Sequence, residues 1–225
     1  MQLYTPIEIK QIQQDLPYLI EIMEWVKSFL GRHHPDLGRT GPVCPYVNHA
    51  LKTNSIRTAV IRANNLDLQQ LEEIVRSYRK IFLKIDAENE ELLINKAFLL
   101  IFPDIHKNET FELIDAVQRK LKPLFVESGL MIGEFHKHTQ SSGLHNPNFR
   151  PLRSPIPLLA IRFMVESDLP FLQSQDDEPY LRIRYLEAYL KHFAHKIVDK
   201  TKLNNAYQAL ALAQEQLKEE NLIIK

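Results

Sequence analysis

The sequence has little of several features that would point to a particular class of protein. Cys44 is the one cysteine among 225 residues, so no intrachain disulfide can form, which suits a reducing compartment. The 28 Lys and Arg residues equal the 28 Asp and Glu residues in number, so no overall field favours nucleic acid or an acidic membrane. No apolar run approaches the roughly 20 residues of a membrane span, and no signal peptide is visible. We therefore expect a cytoplasmic protein with no nucleic-acid or membrane partner.

Glycine is also scarce, with six residues in the whole sequence. Neither G-x-x-x-x-G-K-[ST] nor G-x-G-x-x-G occurs, so the common backbone loops that bind nucleotide phosphates are absent. No G-x-S-x-G nucleophile elbow occurs either. The sequence thus contains no motif for the commonest nucleotide-dependent or serine-hydrolase reactions.

Both ends of the sequence have the periodicity of amphipathic helices. Thr5 and Pro6 form a favourable helix start and Gly31 a stop. Apolar residues lie between them at alternating spacings of four and three: Ile12, Leu16, Leu19, Met23, Val26 and Leu30. Pro179 begins a second helical segment, and a third, with apolar residues from Leu203 to Leu217, continues to the C-terminus. These terminal helices either pack on the rest of the fold or form a homodimer through their heptad-like seams.

Between the terminal helices, the pattern alternates between strand and helix. Asp67 is a good N-cap for a helix over residues 68–85, and Thr110 begins another amphipathic helix. Segments of β-branched or wholly apolar composition predict strands at residues 56–63, 97–102, 130–135 and 158–165.

The resulting order, β-α-β-α-β-β, predicts an α/β fold whose core covers residues 40–175. We interpret residues 1–225 as a single domain. In this interpretation residues 1–31 form an added N-terminal helix, and residues 178–225 form added C-terminal helices.

A long loop between the last two strands is rich in histidine, proline and arginine, which is typical of a binding loop. His136, His138 and His145 are candidate metal ligands, and a zinc site could be completed by Glu134 or Cys44. The alternative is that these are loop histidines that are solvated or hydrogen-bonded. The H-x-H spacing by itself does not decide between the two.

Three arginines follow these histidines. Arg150 and Arg153 lie in the loop, and Arg162 lies in the next strand. A buried arginine needs a partner, and the carboxylates near it in sequence belong to Glu134, Glu166 and Asp168. Alternatively, the arginines clamp a carboxylate or a phosphate, which a guanidinium can bind with two parallel hydrogen bonds. Two arginines on a stiff loop also suit the paired propionates of haem.

Cys44 precedes Pro45 in the loop that follows the first helix. A nucleophilic cysteine needs a nearby base, and His49 is the nearest histidine that follows it, but no known motif joins the two. A Cys-Pro pair can also supply a thiolate to haem iron. The interpretation that we favour is a buried small apolar side chain.

Three segments together resemble the signature of an uncharacterised bacterial domain family. They are CPYV at residues 44–47, GEFH at residues 133–136, and NPNFRPLRSPIPLLAIR from Asn146 to Arg162. The resemblance covers roughly residues 40–175 and brings no known activity with it.

The order of these features is also similar to that of the YqcI/YcgG family, which includes haem-dependent N-oxygenases acting on guanidine groups. This resemblance implies that His136 is an axial haem ligand and that Arg150 and Arg153 lie near the propionates. It also places Cys44 in an early Cys-Pro-like segment. Residues 137–148 have no clear equivalent in that family.

The leading functional hypothesis is therefore a haem-binding oxygenase that acts on a small nitrogenous substrate. One alternative is a non-catalytic binding or scaffold module whose arginine-rich loop recognises an acidic ligand or partner. Another is a metal-dependent enzyme that uses His136, His138 and His145.

Overall fold

The computed structural model describes residues 4–85, 94–105 and 108–223. Its helices are α1 (Pro6–Trp25), α2 (Val47–Lys52), α3 (Leu68–Lys84), α4 (Asn108–Val126), α5 (Leu169–Leu172), α6 (Pro179–Phe193) and α7 (Lys200–Ile223). Its strands are β1 (Ile56–Val60), β2 (Ala97–Ile101), β3 (Leu130–Phe135) and β4 (Leu158–Phe163). The predicted α/β class and the order β-α-β-α-β-β are both confirmed.

The four strands of the described residues form one mixed sheet in the order β1-β2-β4-β3. β1 pairs in parallel with β2, with Ile56 opposite Ala97. β4 pairs antiparallel with β2, with Leu158 opposite Ile101. Parallel strands need a long crossover connection, usually a helix. The sequence between β1 and β2 supplies such a connection, which contains helix α3.

Local capping explains why helices α1 and α3 begin where they do. The Thr5 side chain accepts a hydrogen bond from the Glu8 backbone N–H at 3.3 Å, and a Glu8 carboxylate oxygen accepts one from the Thr5 N–H at 2.6 Å. Asp67 and Gln70 form the same reciprocal pair at the start of α3. After α1, a π-helical turn over Val26–Leu30 leads into Gly31, where the sequence predicts the helix to end.

The chain divides into two compact units, and each has its own apolar core. The first unit consists of Met1–Gln118 and Ile132–Arg162, and the second of Arg119–Met131 and Phe163–Lys225. The expectation of one domain over the full length therefore stays a prediction. No helix among the described residues is long and apolar enough to cross a membrane.

In the first unit, the core joins α1, the loop after it, and the middle of the sheet: Ile22, Val26, Leu30, Leu37, Val43, Val47, Leu99, Ile101, Phe149, Ile156 and Leu158. Strand β2 is buried from Phe98 to Ile101, as its wholly apolar composition predicts. In the second unit, α6 supplies four of the nine buried residues that the structure describes in the core, including Tyr185 and Tyr189, which are each 1% exposed.

Candidate functional site

Two loops of the first unit meet, although they are about a hundred residues apart in the sequence. They cover residues 32–45 and 136–157, and we call them together the two-loop surface. The Asn146 side-chain amide donates a hydrogen bond to the Asp36 carbonyl oxygen at 2.8 Å. The His34 ring stacks on the Phe149 ring, with centroids 4.7 Å apart and planes 29° apart. The two loops thus form one surface rather than two separate turns.

An aromatic cluster holds the second loop in place. Phe149 is 7% exposed, and its ring centroid lies 6.2 Å from that of Phe29 at the end of the first helix. Trp25 contacts both Phe29 and Phe135, with centroid distances of 6.0 and 5.8 Å. Phe149 therefore acts as an apolar anchor for the loop, and the prolines on either side of it, Pro147 and Pro151, restrict the backbone. Within the loop, the Gly143 N–H donates to the Phe149 carbonyl oxygen at 2.9 Å.

His136 is 3% exposed and is hydrogen-bonded through both ring nitrogens. Its Nδ1 accepts a hydrogen bond from the His138 backbone N–H at 3.2 Å, so the ring proton sits on Nε2. Nε2 then donates to the Asp115 carboxylate at 2.9 Å. This pair ties the start of the second loop to helix α4.

Asp115 is a residue of this site that sequence reasoning missed. Asp115 lies on α4 at the border of the buried face that contains Ile114 and Val117. An acidic residue beside the apolar positions of an amphipathic helix is the sequence signal that could have identified it. Such a position brings an acidic group towards the sheet that the helix covers.

The other two candidate histidines, His138 and His145, are both exposed. Glu134 accepts a hydrogen bond from the Ser141 hydroxyl at 3.4 Å. Over residues 4–85, 94–105 and 108–223, the structure shows no group of three or more His, Cys, Asp or Glu side chains arranged to hold a metal ion. The three-histidine metal site stays a prediction.

Arginines on both loops are held by backbone carbonyl groups. Arg150 donates through Nη1 to the carbonyl oxygens of Pro147 and Phe149. Arg39, which the sequence analysis did not single out, donates to the carbonyl oxygens of Thr40 at 2.8 Å and Val43 at 3.0 Å. A carbonyl group is neutral, so these bonds orient each guanidinium without cancelling its charge.

The remaining two arginine candidates differ in exposure. Arg153 is exposed on the second loop, whereas Arg162 is half-buried in β4 opposite Ala97. Two of the carboxylates suggested as partners of Arg162 make other bonds: Glu166 accepts from Lys202 at 3.0 Å, and Asp168 accepts from the Val165 N–H at 2.8 Å.

The two-loop surface concentrates positive charge. The residues of the two loops themselves include five cations and one carboxylate, a formal charge of +4, whereas the whole chain has a formal charge of zero. The charged residues are Arg32, Arg39, Lys137, Arg150, Arg153 and, on the acidic side, Asp36. The carboxylates of Asp115 and Glu134, which bond to His136 and Ser141 of the second loop, lie at the border of this surface. This local excess is hidden in the overall composition.

Cys44 is half-buried in the first loop and packs against the apolar cluster that contains Phe149 and Val43. Its backbone N–H donates to the Leu30 carbonyl oxygen at 2.8 Å. These contacts are those expected of a small apolar side chain.

The residues do not fit haem ligation by His136 in this arrangement. Iron at Nε2 would displace the bond to Asp115, and iron at Nδ1 would displace the bond from the His138 N–H. The axial-ligand role of His136 therefore stays a prediction that this geometry does not support.

Comparison with known proteins gives one family. The chain matches the family model of a domain of unknown function, DUF6875, over residues 19–204. Comparisons with curated proteins and with solved structures gave no significant match.

Proposed function

The chain belongs to the DUF6875 family, whose function is unknown, and we propose that it is a binding protein that takes a small anionic ligand on its two-loop surface. The observation that carries this proposal is the formal charge of +4 on two loops that are in contact, in a chain of zero net charge. Such a local field attracts anions without making the whole protein basic.

The arginines are prepared for binding by the bonds that they already make. Side chains as long as arginine lose about 0.5–1.5 kcal/mol when a ligand immobilises them. Arg39 and Arg150 are already oriented by backbone carbonyl groups, so part of this cost is met before the ligand arrives. A guanidinium has five N–H donors, so donors remain for the ligand.

The ligand chemistry follows from the guanidinium group. Carboxylate and phosphate groups match its planar pair of donors, so both are ligands of the proposed class. Exposed Arg153 lies three residues from Arg150 on the same loop, so ligands with more than one anionic group are the probes that we choose.

Titration with citrate and with pyrophosphate tests the proposal. Trp25 is the one tryptophan of the sequence, and it lies in the aromatic cluster that contacts the second loop, so its fluorescence reports changes at the loop. We expect saturable binding of at least one of the two anions, weakened by added salt. The Arg153→Gln variant should bind at least about tenfold more weakly, because one charge-assisted hydrogen bond contributes about 1.5–3 kcal/mol.

Arg119→Gln is the matched control, since Arg119 is an exposed arginine outside the two loops. It removes the same charge and should leave the affinity unchanged. Equal weakening in both variants would show a non-specific charge effect, and no saturable binding of either anion would contradict the proposal.

Hemin is the third probe, because the resemblance to the YqcI/YcgG family implies haem. We expect no sharp Soret band that depends on His136, since both of its ring nitrogens are hydrogen-bonded. A one-to-one Soret band that is lost in His136→Ala would replace the anion-binding proposal with the haem hypothesis.

A further inference from the structure

Helix α1 carries an exposed apolar stripe between residues 9 and 20. Its residues are Ile9, Ile12, Leu16 and Ile20, and each is between 43% and 48% exposed. At about 100° per residue, this 3-4-4 spacing keeps all four within one quarter of the helix circumference. The stripe is about 16 Å long at a rise of about 1.5 Å per residue.

The stripe continues a face that is covered farther along the same helix. The sequence pattern runs in heptad spacing through Leu19, Met23 and Val26, and these side chains are partly or fully buried in the first unit. The apolar seam therefore extends beyond the core that covers its C-terminal half. In the part of the chain that the structure describes, the N-terminal half of the seam is open to solvent.

An uncovered half-seam of this kind is unfavourable in water. A helical segment of three or four turns is marginal when it is isolated, and most helix stability comes from packing of an apolar face. Contiguous exposed apolar side chains typically mark an interaction surface.

We propose that the stripe is covered by the same stripe of a second copy, in an antiparallel pair of α1 helices. Centring the pair at residue 14 sets Ile12 of one copy against Leu16 of the other, so aliphatic side chains of matching size meet at the middle of the seam. Every copy of the chain presents the required surface at the same concentration.

The charges beside the stripe allow this pairing. At its middle, one flank carries neutral Gln13, and the other carries Asp15, which is neutralised by Arg62 at 2.5 Å. A parallel pair would place the two Glu8 carboxylates at the same level, where like charges destabilise. An antiparallel pair separates them by about 18 Å along the helix axis.

The size of the stripe sets the strength of the association. Four half-exposed side chains offer well under the roughly 800 Å² per partner of a standard interface. We therefore expect a weak dimer that forms reversibly as the concentration rises.

Analytical ultracentrifugation of the full chain, from about 1 μM to about 1 mM, tests the proposal. The average mass should rise from 26.3 kDa towards twice that value. Ile12→Lys and Leu16→Glu should each abolish the rise, and circular dichroism should remain unchanged because both side chains are already exposed. The matched control is Ile7→Lys, since Ile7 is 80% exposed on the opposite side of the helix and should leave the dimer intact.

Mixing Ile12→Lys with Leu16→Glu tests the orientation. In an antiparallel heterodimer, the new lysine at position 12 faces the new glutamate at position 16, and the second pair is still Leu16 against Ile12. The rise in average mass with concentration should therefore be restored. A mass that does not depend on concentration would overturn the proposal, as would equal loss in the Ile7→Lys control or no recovery on mixing. Binding to neutral lipid vesicles without self-association would show that a membrane surface, not a second copy, covers the stripe.

Discussion

At the scale of single residues, Gly38 decides whether the two loops can meet. Its φ is +75°, and a Cβ added there would lie 2.7 Å from the His145 carbonyl oxygen, closer than real Cβ atoms come. We predict that Gly38→Ala lowers the free energy of unfolding by more than the roughly 1–2 kcal/mol of left-handed backbone strain. The clash should also separate the loops and weaken anion binding. Urea unfolding and the Trp25 titration measure the two effects.

Gly41 provides the matched control, because its φ of +87° demands the same backbone conformation while its added Cβ meets nothing closer than 3.5 Å. Gly41→Ala should show the strain without the loss of binding. If both alanine variants bind the anion equally well, contact between Gly38 and His145 does not hold the loops together.

The candidate residues also show what local sequence can and cannot predict. The proline-rich composition of the second loop predicts a stiff loop, and in the structure buried Phe149 anchors it. The bond from His136 to Asp115 joins positions 21 residues apart, and the bond from Asn146 to Asp36 joins positions 110 apart. Neither has a local signature, since such pairs depend on how the helix and the loops dock.

At the scale of elements, two capping boxes of the same kind should differ in their effect on stability. Asp67→Ala removes the cap of α3, whose Leu71, Val75 and Phe82 are fully buried. We predict a loss of about 1 kcal/mol in the free energy of unfolding, as is usual for N-caps. Thr5→Ala removes the cap of α1, where the first turns are exposed, so it should fray the helix without changing the unfolding midpoint.

Thermal melts monitored by circular dichroism compare the two variants. A midpoint for Thr5→Ala that falls as far as that for Asp67→Ala would mean that the exposed start of α1 unfolds together with the core.

Element identities were largely predictable, because each depends on nearby residues. The strand over residues 130–135 has the predicted bounds, and α6 begins at Pro179 as predicted. The strands predicted at residues 56–63 and 158–165 end three and two residues earlier in the structure. The order β1-β2-β4-β3 could not be predicted, because ladder partners such as Ala97 and Arg162 are chosen by the packing of the whole sheet.

At the scale of the whole molecule, buried tyrosines set the response to alkaline pH. Burial, together with the nearby Glu166 and Asp168, raises the pKa of Tyr189 from 10.0 to about 12, and burial also raises the pKa of Tyr185. The unfolded chain therefore loses these protons at lower pH than the folded chain does. The contribution of Tyr189 to the free energy of unfolding is therefore fully present below pH 10 and is lost as the pH rises towards 12.

We predict that Tyr189→Phe flattens the fall in unfolding free energy over this pH range, as measured by urea titrations at several pH values. It should also cost about 1 kcal/mol at neutral pH, because the tyrosine hydroxyl donates to the Glu166 carbonyl oxygen at 2.7 Å. Tyr207→Phe is the control, since Tyr207 is half exposed, and it should keep the parental slope. An unchanged slope in Tyr189→Phe would contradict the prediction.

The strand order places β1 and β3 at the two edges of the described sheet. An edge strand exposes unpaired backbone groups that can template aggregation, and charged side chains on it discourage a further strand from adding. Here β1 carries Arg57, and β3 carries Glu134. We expect these charges to oppose edge-to-edge polymerisation, which would steer crowded copies of this chain away from fibril growth.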